Sequence, residues 1–234
     1  MDPTTPVADP TFDVVSKSLE NGKASLNERY TAMVKKSIQN ICATLIDNEE
    51  HLNDLDSESG DGDCGTTHSR MAKAILAAQS RMSYSRPSAL LVQLGHLAQE
   101  AMGGSSGAVY SIGFMAGAKY LEADVGVSSW ARSLDAALTA VTFYGKAELG
   151  DRTLLDALNP VLGILREKIL RPLADLLDAA VEAAQTGAGA TKDMAAKAGR
   201  ATYVSRERQT RPDPGAFAVY LWIRAIGEAV HAFD

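Results

Sequence analysis

Asp56, Asp61 and Asp63 stand within eight residues of one another in the stretch LDSESGDGDCGTT (55–67). Gly60, Gly62 and Gly65 interleave them in the spacing G-x-G-x-x-G, a pattern that elsewhere lets backbone amides approach a phosphate. Carboxylates in the gaps carry the wrong sign for that task. Glycine makes the segment a poor helix and permits tight turns with positive φ, so the three carboxylates can meet at one point. There they would repel one another by several kcal/mol at an effective dielectric of about 20. A bound divalent cation reverses that sign, and oxygen-only ligands select Mg²⁺, Mn²⁺ or Ca²⁺ rather than zinc. The EF-hand pattern does not apply, because the twelfth position counted from Asp61 is Ala72 instead of a bidentate Glu. The alternative is a solvated turn, which D-G pairs commonly form.

Three further polar stretches have the composition of a site. GGSSG (103–107) joins two expected helices, and a helix N-terminus behind two glycines and two serines can bind an anion or simply cap a turn. GKAELGDRTLLD (145–156) combines glycine hinges with Lys146, Asp151, Arg152, Thr153 and Asp156. GRATYVSRERQTRPDPGA (199–216) brings Arg200, Arg206, Arg208 and Arg211 into an acidic protein, which suits an anion contact, a lid over one, or a solvated loop. Together these stretches answer the charge problem. The aspartates hold a cation, the cation meets phosphate oxygens, and Gly104, Ser105 and Ser106 supply direct donors.

Helices must position these loops. Residues 1–25 read as a linker or flexible tail, rich in Pro, Asp, Thr and Ser; residues 26–234 read as one helical domain. Apolar residues recur at spacings of three and four from Leu26 to about Asp54. Further helices are expected at about 66–83, 87–102 opened by Pro87, 104–122, 128–145 capped by Ser128 or Ser129, 153–168, 171–198, and 213–232 with Asp213 as cap and Pro214 first. No alternating β-branched run stands out. The expectation is eight helices and no sheet, which removes the strand a dinucleotide fingerprint requires.

Bulk properties bound the partners. The chain has 234 residues, 46% of them hydrophobic, with a formal charge of −6. It is long enough for a full core, and it lacks a basic surface for nucleic acid. No apolar run reaches the roughly 18 residues of a membrane span. Its N-terminus lacks the features of a signal peptide. Cys42 and Cys64 build no disulfide framework, so a cytoplasmic location is expected.

Taken in order, LDSESGDGDCGTT, GGSSGAVY (103–110), GKAELGDRTLLDAL (145–158) and GRATYVSRERQTRPDPGA resemble the nucleotide-binding (L) domain of the dihydroxyacetone kinase family over about residues 28–232. The variant looks most like the animal single-chain branch, which has triokinase and FMN cyclase activities. That resemblance implies an all-α, antiparallel eight-helix barrel with nucleotide and two divalent ions at one rim. By the same resemblance Asp56, Asp61 and Asp63 would be metal ligands, and Cys64, Gly65, Thr66, Thr67, Ser105 and Ser106 would lie along the phosphates. Gly145, Thr153, Leu154, Asp213, Pro214 and Gly215 would line the nucleoside, with Arg200 reaching the phosphates. Many bacterial relatives carry His where this chain has Cys64, so a histidine–phosphate contact does not carry over.

The implied activities are ATP-dependent phosphorylation of dihydroxyacetone or glyceraldehyde with Mg²⁺, and FAD-AMP lyase (cyclising) chemistry for which Mn²⁺ or Co²⁺ would also serve. The implied partner is a triose-binding (K) domain, expected in the same parent chain, that holds the triose through a histidine adduct. Two other readings stand beside this one. The first is an L subunit that retains ADP as coenzyme for a phosphotransferase system; the second is a non-catalytic helical module.

Overall fold

Side-chain caps mark the start of three helices in the computed structural model, which describes residues 26–167 and 172–233. The expected tail at 1–25 and the expected start of a helix at 171 lie outside the described residues. Asn27 caps α1 (Glu28–Asp47), its side-chain oxygen accepting from the Tyr30 amide at 3.0 Å. The single helix expected from 26 to about 54 is broken at Asn48. Its side chain and its amide both donate to the Thr44 carbonyl, at 2.7 and 3.1 Å, and the chain restarts as α2 (Glu49–Ser57). Asn competes locally for backbone groups, which is why it favours helix ends.

The next helix, α3 (Cys64–Ala78), begins two residues earlier than expected and places Cys64 in its first turn. Pro87 opens α4 (Pro87–Leu97), which continues into a π-helical turn, Ala98–Met102. After Gly103 comes α5 (Gly104–Ala118). Gly126, rather than Ser128 or Ser129, is the cap residue of α6 (Val127–Gly145). Ser129 lies inside the first turn, where its hydroxyl donates to Asp124 at 2.5 Å.

Thr153 caps α7 (Leu154–Arg166), its hydroxyl accepting from the Leu155 amide at 3.2 Å. Asp156 completes a capping box by accepting from the Thr153 amide at 2.8 Å. The helix expected to run to 198 ends at Ala190, as α8 (Leu173–Ala190). There the Thr191 hydroxyl donates to the Ala188 carbonyl at 2.6 Å and accepts from the Asp213 amide at 2.8 Å. That long-range bond turns 191–213 into a loop with three short 3₁₀ turns. Asp213 then caps α9 (Pro214–His231), accepting from the Ala216 amide at 2.8 Å, with Pro214 in the first position.

No strand occurs among the described residues. The helices pack as a closed antiparallel ring: α1 on α3, then α4, α5, α6, α7, α8 and α9 in turn, with α9 back on α1. With the short α2 counted as the continuation of α1, this is the expected eight-helix barrel. Antiparallel order has a direct consequence: α3, α5, α7 and α9 all start at the same rim. Each of the four polar stretches leads into one of those starts.

Two apolar clusters fill the interior. One gathers Cys42, Leu45, Leu52, Met71, Leu90 and Leu94, and the other Leu155, Leu158, Val161, Leu162, Ala180 and Ala184. Helix α9 divides them, giving Ala218 and Leu221 to the first and Ala216, Val219 and Ile223 to the second. Its small residues bring neighbouring backbones close, which full burial in a dense interior requires.

Glycine enforces the same closeness between α7 and α8. A Cβ on Gly187 would stand 2.2 Å from the Asp156 carbonyl, whereas one on Gly189 would meet nothing within 4 Å. Gly187→Ala is therefore expected to destabilise the fold by about 1–3 kcal/mol through overpacking. Gly189→Ala, two residues along the same helix, is expected to stabilise it by up to about 1 kcal/mol through helix propensity. Chemical denaturation of the two variants checks the opposite signs.

Candidate functional site

The acidic loop is built around Asp56, in the last turn of α2. Its carbonyl accepts from the Ser59 and Gly60 amides at 3.0 and 2.6 Å, which folds the chain back at once. Its carboxylate oxygen Oδ2 accepts from the Asp63 and Cys64 amides at 3.0 and 3.2 Å, so a negative group sits at the N-terminus of α3. The other oxygen, Oδ1, faces Gly60, where a Cβ would lie 2.2 Å away. Gly62 takes φ +76°, the left-handed region that glycine enters without steric cost. These turns bring carboxylate oxygens of Asp56, Asp61 and Asp63 within 4.8 Å of one another. An all-carboxylate set of that size fits a hard divalent cation.

Close packing fixes the start of α3. A Cβ on Gly65 would lie 1.9 Å from the Glu49 carbonyl, so α3 touches the backbone of α2 there. Asn53 locks Thr66 from both ends, accepting from its amide and donating to its hydroxyl, each at 3.0 Å. The amides of Cys64 and Thr66, two of those expected along a phosphate, thus already have side-chain partners from α2. His68 is buried; its Nδ1 donates to the Cys64 carbonyl at 2.8 Å and its Nε2 accepts from the Tyr110 hydroxyl at 3.1 Å. Burial lowers the imidazole pKa and keeps it neutral. Burial, reinforced by Asp56, pushes the Cys64 thiol well up, so it stays protonated and is a poor nucleophile.

Contacts join the remaining loops to this one. Arg70 of α3 donates to the Met102 carbonyl at 2.9 Å, holding the turn in which Gly103 and Gly104 adopt φ of +66° and +56°. Gly104 and Ser105 are exposed there and Ser106 is half-buried. Beside them lies a cleft of about 370 Å³ lined by Gln99, Gly103, Gly104, Ala108, Ser111 and Ile112. Gly145, at the end of α6, is exposed, while Thr153 and Leu154 are half-buried at the start of α7.

The arginine loop spans the rim. Arg200 pairs with Asp61. Arg211 pairs with Asp54 at 2.8 Å and lies 3.7 Å from Glu58, to which the Thr210 hydroxyl also donates at 3.2 Å. Buried Gln209 organises the loop from within, accepting from the Ala196 amide and donating to the Ala201 and Val204 carbonyls. Asp213 is largely buried at its end, and burial raises its carboxyl pKa to about 6 against the opposing pull of the Ala216 amide and Arg152.

All four sequence stretches therefore meet at one rim. Spacing identified the aspartates and the glycine turns. It did not identify Asn53, Gln209 or the burial of Arg152, each of which has a partner at least 13 residues away in the chain. Arg200, expected at the phosphates, is here the counter-charge of the acidic loop.

Comparison with known proteins agrees with this fold. Residues 58–228 match the DAK2 domain family. The chain is 45% identical over 199 residues to human triokinase/FMN cyclase, covering 83% of this chain and 34% of that protein. It is 35% identical over 229 residues to the dihydroxyacetone kinase of Citrobacter freundii, covering 96% of this chain and 40% of the relative. The crystal structure of the C. freundii enzyme superimposes with a TM-score of 0.71 over 84% of this chain and 34% of that one. A second structure of that enzyme, in complex with AMP-PNP and Mg²⁺, gives 0.69. The chain thus spans little more than a third of the length of these relatives. It belongs to the DAK2 domain family and is an L-type domain of the dihydroxyacetone kinases.

Two outcomes follow from the charges at the rim. A guanidinium on Asp61 competes with any cation for the acidic loop, so Arg200→Gln is expected to bind Mn²⁺ alone several-fold more tightly than the wild type, read by electron paramagnetic resonance without nucleotide. The second concerns Asp213. The folded chain keeps this carboxyl protonated up to about 6, whereas the unfolded chain releases that proton near the ordinary value of about 4. Its contribution to stability is full below that ordinary value and is lost as pH rises through about 6. The melting temperature of metal-free wild type relative to Asp213→Asn is expected to fall between pH 4 and pH 7.

Proposed function

We propose that this chain is the nucleotide-binding half of an ATP-dependent dihydroxyacetone or glyceraldehyde kinase, working with a triose-binding domain of the same parent protein. The observation that carries this reading is the convergence of three carboxylates with four helix N-termini at a single rim. Negative groups gather a divalent cation, and positive helix ends gather the phosphates that the cation bridges. The AMP-PNP and Mg²⁺ bound by the C. freundii enzyme support the same pairing in this fold.

In this reading Asp56, Asp61 and Asp63 hold Mg²⁺, two ions in all, and Mg²⁺ when bound neutralises charge on the phosphate oxygens. Gly104 approaches the phosphates closely because nothing projects from its backbone, and Ser105 and Ser106 donate to them from the first turn of α5. The segment Cys64–Thr67, pinned by Asp56 and Asn53, presents a fixed wall beside the phosphates. Gly145, Thr153, Leu154 and the turn Asp213-Pro214-Gly215 line the nucleoside. Arg200, released from Asp61 once a cation takes its place, turns to the phosphates and adds a charge-assisted donor. Phosphoryl transfer demands mainly positioning and charge neutralisation, and the acceptor must be held in line by the partner domain.

A second activity is favoured by the 45% identity to a triokinase/FMN cyclase. FAD carries its own acceptor, since a ribityl hydroxyl can attack the neighbouring phosphorus as AMP leaves. Proximity is built into that substrate, so this reaction depends less on a second domain. Mn²⁺ or Co²⁺ would serve it as well as Mg²⁺.

The chain by itself is expected to bind Mg-ATP in a calorimeter yet show no turnover with millimolar dihydroxyacetone. Adding the triose-binding domain should restore activity in a coupled kinase assay. Asp61→Asn or Asp63→Asn should weaken Mg-ATP binding at least tenfold with helicity unchanged, and should abolish AMP release from FAD. Equal binding by wild type and variant, or in EDTA, would remove the metal assignment.

A further inference from the structure

Arg152 is one of the largest fully buried side chains in the protein, 2% exposed. Its backbone takes φ +62°, a left-handed conformation that is strained for a long side chain. Nη2 donates to the Arg211 carbonyl at 3.0 Å, and Nη1 lies 3.6 Å from Asp213 Oδ2. Neither Nε nor Nη1 makes a hydrogen bond. Arg206 and Glu58 are its other charged neighbours.

Stability alone does not account for such a residue. Burying a guanidinium with unmatched donors carries a large desolvation cost, and a packed apolar side chain of similar size is often as stable. What the guanidinium does, and an apolar group cannot, is reach from the start of α7 to two acceptors at the end of the arginine loop, the Arg211 carbonyl and the Asp213 carboxylate, with one rigid fork. Those segments matter by their place. Thr153, the next residue, caps α7, and Asp213 caps α9. Arg211 anchors the arginine loop to Asp54.

We propose that Arg152 is a positioning residue for the nucleotide: it sets the gap between the start of α7 and the start of α9 and ties the arginine loop to both. The inference rests on the nucleoside lying between Thr153–Leu154 and Asp213–Gly215. Arg152 itself touches no reacting atom. Its influence falls on nucleotide affinity and leaves the acidic loop, whose turns are made by Asp56, as it was.

The test uses the full chain with Arg152→Met and Arg152→Lys, read by Mg-ATP calorimetry, Mn²⁺ binding without nucleotide, and thermal unfolding. Arg152→Met is expected to raise the Kd for Mg-ATP at least tenfold while Mn²⁺ binding stays within twofold. Arg152→Lys keeps a charge for Asp213 but loses the bond to the Arg211 carbonyl, so it should fold and bind Mg-ATP several-fold more weakly than wild type. This also covers an Arg152→Met protein that fails to fold. With the triose-binding domain added, the KM for ATP should rise and kcat stay within about threefold. Wild-type Mg-ATP affinity in the variants that fold would overturn the proposal, as would Mn²⁺ and Mg-ATP affinities falling together with the melting temperature. No Mg-ATP binding by the wild type would instead overturn the nucleotide reading beneath it.

Discussion

Negative charge concentrated at one end of the barrel is the constraint on which the rest of the molecule depends. Asp54, Asp56, Glu58, Asp61 and Asp63 fall within ten residues, and the backbone turns so tightly that oxygens of three of these carboxylates lie within 4.8 Å of one another. Such an arrangement is unfavourable without opposite charge nearby. The protein supplies that charge in two forms: amides at the start of α3 bonded to Asp56, and guanidinium groups of Arg200 and Arg211 from across the rim. In the proposed reading a cation would take the place of Arg200, which would then serve an anion.

Ring order brings these opposite charges together. In an antiparallel barrel every second helix begins at the same end, so α3, α5, α7 and α9 present their N-termini together. Two of these starts are capped by side chains of the site itself, Thr153 and Asp213, and their neighbours carry the polar groups that face the rim. The apolar clusters on either side of α9 hold this geometry from below. Helix packing thereby sets where charge can gather, and the loops determine what charge that is.

Glycine and buried polar residues divide the work of precision. Gly60, Gly65 and Gly187 permit approaches that any Cβ would block, and so fix α2 against α3 and α7 against α8. Asn53, Gln209, Asp156 and Arg152 then fasten loops whose own sequences would leave them free. Arg152 is the costly member of that set, because its donors are not all satisfied.

The sequence by itself determined the helical class, most helix positions and the four stretches that form the site. Those properties are local: apolar spacing, caps such as Thr153 and Asp213 with Pro214, and carboxylates between glycines can be read over a few residues. Tertiary structure decided what no local pattern carries. The helix expected to reach 198 stops at Ala190 because the Thr191 hydroxyl meets the amide of Asp213, 22 residues on. Ser128 and Ser129 do not cap α6, since Asp124 takes the Ser129 hydroxyl and Gly126 fills the cap position. Arg200 lies on Asp61, and Arg152 is buried against Arg211 and Asp213, because barrel closure brings distant loops to one rim. Charge pairs of that kind depend on distance in space, and the sequence specifies that distance only through the packing of the whole ring.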